Sequence, residues 1–98
     1  MSTDQLRQSA SVWGSQLAAA GINVDLAPVL GTVVANRAAN APIGALYRDF
    51  GLDAAGNAAQ GTAFVQGMAD AGVQSAIKHD PGFGAVTGNT DFTADGIL

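Results

Sequence analysis

LAAAGIN at residues 17–23 and MADAGVQ at residues 68–74 share one pattern. In each, small and apolar residues precede a glycine, and a branched aliphatic residue follows it. This order is typical of a helix that ends at a glycine and leads into a strand. Two strands joined by a helix run parallel, as a βαβ crossover. The repeat therefore predicts an α/β fold in which both strands end at the same edge of a sheet.

The segment before the first copy has the periodicity of a helix. Ser2 and Gln5 have the spacing of a capping box at its start, and Gly21 is expected just past its end. Its apolar positions recur every three or four residues: Leu6, Ala10, Trp13, Leu17 and Ala20. Because Trp13 lies on this face, we expect it in the core.

Asp53 is expected to cap a second helix, which Gly72 ends. One predicted face comprises Ala58, Thr62, Val65 and Ala69, with Phe64 and Met68 beside it. Three glycines weaken this helix by about 1 kcal/mol each relative to alanine. Gly56, Gly61 and Gly67 therefore indicate that a neighbouring backbone packs closely.

INVDLAPV at residues 22–29 predicts a strand that ends near Pro28, and VQSAIKH at residues 73–79 predicts the second strand. Residues 31–52 have no clean period, so most of them are expected to form a loop. Loops of this length are uncommon unless they are functional. Since chemistry in parallel α/β folds lies at the carboxyl ends of the strands, the loops after both strands are candidate sites.

Composition excludes several classes of protein. The chain has 98 residues, 48% hydrophobic and 12% charged, against about 25% charged in an ordinary domain. Its four cations, Arg7, Arg37, Arg48 and Lys78, are scattered, so nucleic-acid binding is not expected. There is no cysteine, no signal-peptide pattern, and no apolar run near the roughly 20 residues of a membrane span. The compartment stays open, because export does not require disulfides.

SAIKHDPGFGAVTGNTD at residues 75–91 places Lys78, His79 and Asp80 at the predicted strand end, before a glycine-rich loop. The three charged or polar side chains could be a solvated strand end. The glycines could cradle a phosphate, although their spacing differs from G-x-G-x-x-G. His79 is the only histidine and has no carboxylate four residues on, so no metal ligand set is predicted.

Three separated segments resemble the N-terminal TIM-barrel domain of family 3 glycoside hydrolases: GINVDLAPVL at 21–30, NAPIGALYRDFG at 40–51, and residues 63–91. The likeness extends from about residue 6 to 92 and is greatest to bacterial β-N-acetylhexosaminidases. It implies that residues 1–98 are a partial N-terminal domain, a βαβ portion of a (β/α)₈ barrel. The chain is too short to close the barrel alone, since that takes at least about 200 residues.

The resemblance implies a retaining, exo-acting glycosidase of the β-N-acetylhexosaminidase or β-glucosidase type, which acts on a β-linked sugar without a cofactor or metal. Lys78, His79 and Arg48 match residues that bind the sugar in this family. Asp91 matches the loop position of the general acid/base, although the family's Asp-x-His dyad is Asn89 and Asp91 here. The nucleophile's strand lies downstream in the family, so no residue of this chain is assigned that role.

The family motifs also differ at Gly31, Asp80 and Phe83, where relatives have an aspartate, an aromatic residue and a histidine. Arg48 could instead be a surface arginine, and Asp91 a turn residue. Two alternatives to an enzyme remain at this point. The chain could be a non-catalytic sugar-binding piece, or a truncated product without independent function.

Overall fold

The computed structural model describes residues 1–33, 37–44, 49–80, 82 and 84–85. Its elements, in order, are α1 (Thr3–Ala19), β1 (Val24–Asp25), a short 3₁₀ helix (Arg37–Ala39), α2 (Ala54–Asp70) and β2 (Gln74–Ser75). The strands β1 and β2 are parallel neighbours. The predicted βαβ crossover is therefore confirmed. Neither α1 nor α2 is long and apolar enough to cross a bilayer.

Both helices begin at the predicted caps. The Ser2 hydroxyl accepts from the Gln5 amide at 3.1 Å, and the Gln5 side chain accepts from the Ser2 amide at 2.9 Å. Asp53 caps α2, because its carboxylate accepts from the Gly56 amide at 2.8 Å. Each cap satisfies donors that a helix terminus leaves without an intrahelical partner.

Both helices also end in the same way. Gly21 and Gly72 have φ angles of 86° and 81°, in the left-handed region that glycine adopts at little cost. In each case the amide after the glycine donates to a carbonyl of the last helical turn at 2.9 Å: Ile22 to Leu17, and Val73 to Met68. Both helix ends are Schellman motifs. This shared motif explains why residues 17–23 and 68–74 have the same sequence pattern.

The core lies between α1, α2 and the start of β2. Ala10, Met68 and Val73 are almost fully buried there. Gly67 contacts the other helix so closely that an added Cβ would overlap the Arg7 carbonyl oxygen. The close backbone expected at the glycines of α2 is thus confirmed at Gly67, whereas the neighbour of Gly61 is a side chain.

The prediction that Trp13 lies in the core is wrong. Trp13 is 43% exposed and its ring centroid lies 6.4 Å from that of Phe64. The buried position is the adjacent Gly14, where a Cβ would lie 2.9 Å from the Ala71 Cβ. Because the glycine lets α2 approach α1 here, the contact between the helices is centred on Gly14. Trp13 lies at the edge of that contact.

The predicted face of α2 also needs correction. Ala58, Thr62 and Ala69 are exposed. The buried positions of the helix are instead Asn57, Gly61, Ala63, Gly67 and Met68. Alanine and glycine occur on every side of α2, so the apolar period does not identify the packed side.

The strands are shorter than predicted, and their pairing is interrupted. Beyond the two-residue ladder, a single further bridge joins Val29 to Lys78 in the described part of the chain. From the last ladder pair to this bridge, the first strand takes four steps and the second takes three. The first strand therefore contains one extra residue, a bulge, before the pairing resumes. Within the described parts of residues 31–52 the chain is irregular apart from the 3₁₀ helix, as predicted.

Candidate functional site

Lys78 is held at the carboxyl ends of both strands. Its amide donates to the Pro28 carbonyl at 3.1 Å, and its carbonyl accepts from the Leu30 amide at 3.0 Å. The peptide between Lys78 and His79 is cis. These bonds join the end of the second strand to the start of the loop after the first, so the two strand ends meet at one edge as expected.

A cavity of about 160 Å³ lies at this edge. Its lining consists of Leu30, Gly31, Ile77, Lys78, His79 and Asp80. An ammonium group, an imidazole and a carboxylate supply both donors and acceptors for hydroxyl groups. The volume is below the roughly 300–1,000 Å³ of sites for drug-sized ligands. The cavity is therefore suited to part of a small polar ligand.

Larger cavities of about 410 and 430 Å³ lie beside Arg7, against the two helices. Another, of about 490 Å³, lies at the start of β2. We assign the site to the smaller cavity because residues that follow both strands line it, at the carboxyl edge where ligands bind in α/β folds.

The loop after the second strand folds back onto the loop after the first. Gly84 is buried, and an added Cβ would overlap the carbonyl oxygen of Thr32 and lie 2.6 Å from its carbonyl carbon. No side chain fits in this contact. The glycine at position 84 therefore allows the two loops to pack backbone against backbone beside the cavity.

Asn57 joins these loops to α2. It is 1% exposed, and its amide nitrogen donates to the Thr32 hydroxyl and to the Leu52 carbonyl, both at 3.0 Å. Its carbonyl accepts from the Leu52 amide at 3.3 Å. The sequence analysis missed this residue, because its partners lie in a loop without a recognisable pattern.

A partly buried ion pair joins two described parts of the long loop after the first strand. Arg37 donates to both oxygens of Asp49, at 2.6 and 2.8 Å, and the Asp49 side chain is 1% exposed. The hydrogen bond from Arg37 lowers the pKa of Asp49, although burial acts in the opposite direction. Asp49 is therefore a carboxylate at neutral pH. Its pairing with Arg37 was also missed, since the scattered cations showed no pattern in the sequence.

The sequence-predicted site residues divide into two groups. Lys78 and His79 lie together at the cavity, where both are half-buried. Arg48 and Asp91 lie outside the described residues. Among the residues that the structure describes, no three His, Cys, Asp or Glu side chains form a group able to hold a metal ion.

The comparison with protein families agrees with this geometry. The family model described as the glycosyl hydrolase family 3 N-terminal domain matches residues 1–95. The chain belongs to this family. The resemblance of the three sequence segments to family 3 glycoside hydrolases is thereby confirmed.

Individual relatives point to one branch of family 3. The chain is 38% identical over 86 residues to Beta-hexosaminidase LpqI of Mycobacterium tuberculosis (strain ATCC 25618 / H37Rv), covering 88% of this chain and 21% of that protein. A crystal structure of Beta-N-acetylhexosaminidase from Beutenbergia cavernae DSM 12333 superposes with a TM-score of 0.93 at 48% identity, covering 96% of this chain and 28% of that one. The structure of M tuberculosis LpqI gives a TM-score of 0.78 at 38% identity, over 90% of this chain and 24% of that one. The chain thus spans about a fifth of the length of the curated relatives that it matches.

Proposed function

We propose that this chain supplies part of the sugar-binding rim of a β-N-acetylhexosaminidase-type or β-glucosidase-type glycoside hydrolase. Lys78 and His79 bind hydroxyl groups of a β-linked sugar, with N-acetylglucosamine as the first candidate. The observation that carries the proposal is their shared position at a cavity on the carboxyl edge of two parallel strands. The names of the family 3 relatives support the class of substrate.

Two further residues complete the proposed site. Arg48 binds the same sugar, and Asp91 is the general acid that protonates the leaving oxygen. In a retaining mechanism a second carboxylate attacks the anomeric carbon, and the acid then acts as a base toward water. That nucleophile is an aspartate contributed by a part of the family fold outside these 98 residues.

We also propose that β1 and β2 are successive strands of a (β/α)₈ barrel, with residues 1–98 forming one portion of that domain. Parallel sheets are covered on both faces in nearly all proteins. Here Val24, Leu26 and Ile77 are 48%, 67% and 60% exposed. Apolar side chains so exposed beside a parallel ladder support a place in a larger sheet.

Hydrolysis of an aryl N-acetyl-β-glucosaminide tests the proposal. The substitution Lys78→Met keeps an unbranched side chain of nearly the same length and removes its hydrogen-bond donors. A hydrogen bond to a charged group contributes about 1.5–3 kcal/mol. In a family 3 hydrolase that contains these residues, we therefore expect Lys78→Met to lower kcat/KM roughly 10- to 100-fold. The 98-residue chain alone is expected to show no turnover.

Arg7→Met is the matched control, because Arg7 is an exposed cation on α1, away from the strand ends. It should leave kcat/KM within about twofold, as for most surface substitutions. Equal losses in the two variants would contradict the proposed role of Lys78. If the protein that contains these residues binds the sugar but does not hydrolyse it, the result would favour a non-catalytic sugar-binding role.

A further inference from the structure

We propose that Asp80 is a specificity-determining residue of the sugar site: its carboxylate accepts hydrogen bonds from hydroxyl groups of a neutral sugar and disfavours sugars that carry a negative charge. The inference rests on the proposed function, because it takes the cavity at the strand ends as the sugar site. It adds a residue to which that proposal gives no role, and it names the class of sugar that the site selects.

Asp80 lines the same cavity as Lys78 and His79. Among the described residues of that lining, Lys78 supplies the one ammonium group and Asp80 the one carboxylate, and the others besides His79 are apolar. When the imidazole is neutral, the charges of Lys78 and Asp80 cancel. A neutral ligand therefore meets no net charge, whereas an anionic ligand is attracted by one residue and repelled by the other.

The two opposite charges of the cavity are not paired with each other. The ion pairs in the described part of the chain lie between the helices and within the long loop, and neither includes Lys78 or Asp80. A carboxylate only accepts hydrogen bonds and an ammonium group only donates them, whereas a hydroxyl group does both. Neighbouring hydroxyl groups of one sugar can therefore satisfy Lys78 and Asp80 together.

The backbone on both sides of Asp80 keeps it at the strand ends. Two residues earlier, the amide and the carbonyl of Lys78 are bonded to the first strand and its loop. Two residues later, Gly82 has a φ of 128°, and an added Cβ there would lie 3.7 Å from the His79 carbonyl oxygen. The chain thus turns back directly after the strand, and Asp80 stays beside the cavity.

The side of the cavity that belongs to the first strand leaves space for a ligand. Gly31 lines that side, and an added Cβ there would meet no described atom within 4 Å. Leu30, which precedes it, has no polar group on its side chain. Discrimination between neutral and anionic sugars therefore depends on Lys78 and Asp80, which follow the second strand.

Two sugars that differ in one group test this discrimination. N-acetylglucosamine is neutral, whereas N-acetylglucosaminuronic acid has a carboxylate in place of the hydroxymethyl group. Because electrostatic interactions extend about 10 Å at roughly 0.1 M salt, a carboxylate on a sugar held in so small a cavity is not fully screened from Asp80. Dissociation constants are measured from the amide shifts of the ¹⁵N-labelled chain at about pH 8, where an ordinary histidine is neutral.

We expect Asp80→Asn to weaken binding of the neutral sugar and to strengthen binding of the anionic one. An amide oxygen accepts a weaker hydrogen bond than a carboxylate, so the dissociation constant of N-acetylglucosamine should rise roughly threefold to tenfold. Removal of the like charge leaves Lys78 unopposed, so the dissociation constant of the uronic acid should fall by about threefold. A variant with a damaged fold would weaken both sugars and strengthen neither.

Two further variants are controls. Asp80→Glu keeps the charge and should keep the preference for the neutral sugar. Asp4 is an exposed carboxylate in the first turn of α1 and lines other cavities, so Asp4→Asn should change both dissociation constants less than about twofold. If Asp80→Asn weakens both sugars equally, or leaves the preference of the wild type unchanged, the inference is overturned.

The two proposals fail in different ways. If Lys78→Met weakens the binding of N-acetylglucosamine but Asp80→Asn changes the binding of neither sugar, the proposed function stands and the inference is wrong. A wild-type chain that binds neither sugar contradicts the proposed function, and the role of Asp80 is rejected with it.

Discussion

Gly67 shows how a single residue sets the distance between the two helices. An added Cβ there would overlap the Arg7 carbonyl oxygen and lie 2.6 Å from the Ala10 Cβ. Gly14 has the same role on the other helix, where the neighbours are Ala71 and Met68. The entropy cost of glycine inside a helix is accepted at these positions because a larger residue would separate α1 from α2.

We predict that Gly67→Ala destabilises the chain. Overpacking of a filled contact costs about 1–3 kcal/mol, and we expect about 2–3 kcal/mol here because the added Cβ meets backbone atoms that cannot rotate away. The better helix propensity of alanine returns about 1 kcal/mol. The free energy of unfolding in urea should therefore fall by about 1–2 kcal/mol. Gly31→Ala is the control, because an added Cβ there meets no atom within 4 Å. A Gly67→Ala chain as stable as the wild type would show that the helices do not pack as described.

Residues of the candidate site were predictable from sequence to different degrees. Lys78 and His79 were predicted because they end a local strand pattern and match residues that bind the sugar in family 3. The position of Trp13 was predicted wrongly because periodicity identifies the apolar side of a helix but not which residues of that side are buried. In this helix the close contact with α2 is at Gly14. Arg37 and Asp49 are separated by 12 positions of irregular chain, so nothing local in the sequence pairs them.

The elements of this fold are joined by contacts of two kinds. The repeated helix ends are local, and the sequence predicts them because Gly21 and Gly72 are needed where φ is positive. The contacts between loops are not local. Asn57 on α2 holds Thr32 of one loop, and Thr32 in turn packs against Gly84 of the other. The bulge in the first strand could not be predicted from its sequence either, because it depends on how the second strand pairs with the first.

We predict that Asn57→Ala weakens the connection between α2 and the loops. The substitution removes three hydrogen bonds of a buried side chain, to the Thr32 hydroxyl and to the Leu52 amide and carbonyl, and each contributes about 0.5–1.5 kcal/mol. A loss of about 2 kcal/mol in the free energy of unfolding is expected.

Thr62→Ala is the control in the same helix, because the Thr62 hydroxyl is exposed and bonds only to the Ala58 carbonyl of its own helix in the described structure. It should change the free energy of unfolding by less than about 0.5 kcal/mol. If Thr62→Ala costs as much as Asn57→Ala, the loops do not depend on the buried amide.

The molecule as a whole combines a packed helical side with a sheet whose apolar side chains remain exposed. The helices and the start of β2 form the core, whereas Leu26 and Ile77 are 67% and 60% exposed. The relatives of family 3 are several times longer than this chain. The family could be identified from three ordered motifs, but the extent of the sheet could not, because strand pairing is a property of the assembled fold.

We propose above that the paired strand ends form a saccharide-binding edge. This proposal is tested most directly by titrating the ¹⁵N-labelled chain with N-acetylglucosamine and following the backbone amide shifts. We expect saturable shifts at millimolar sugar, clustered at residues 30–31 and 78–80. Absence of shifts at that concentration, or shifts confined to the helical surface around Arg7, would contradict it.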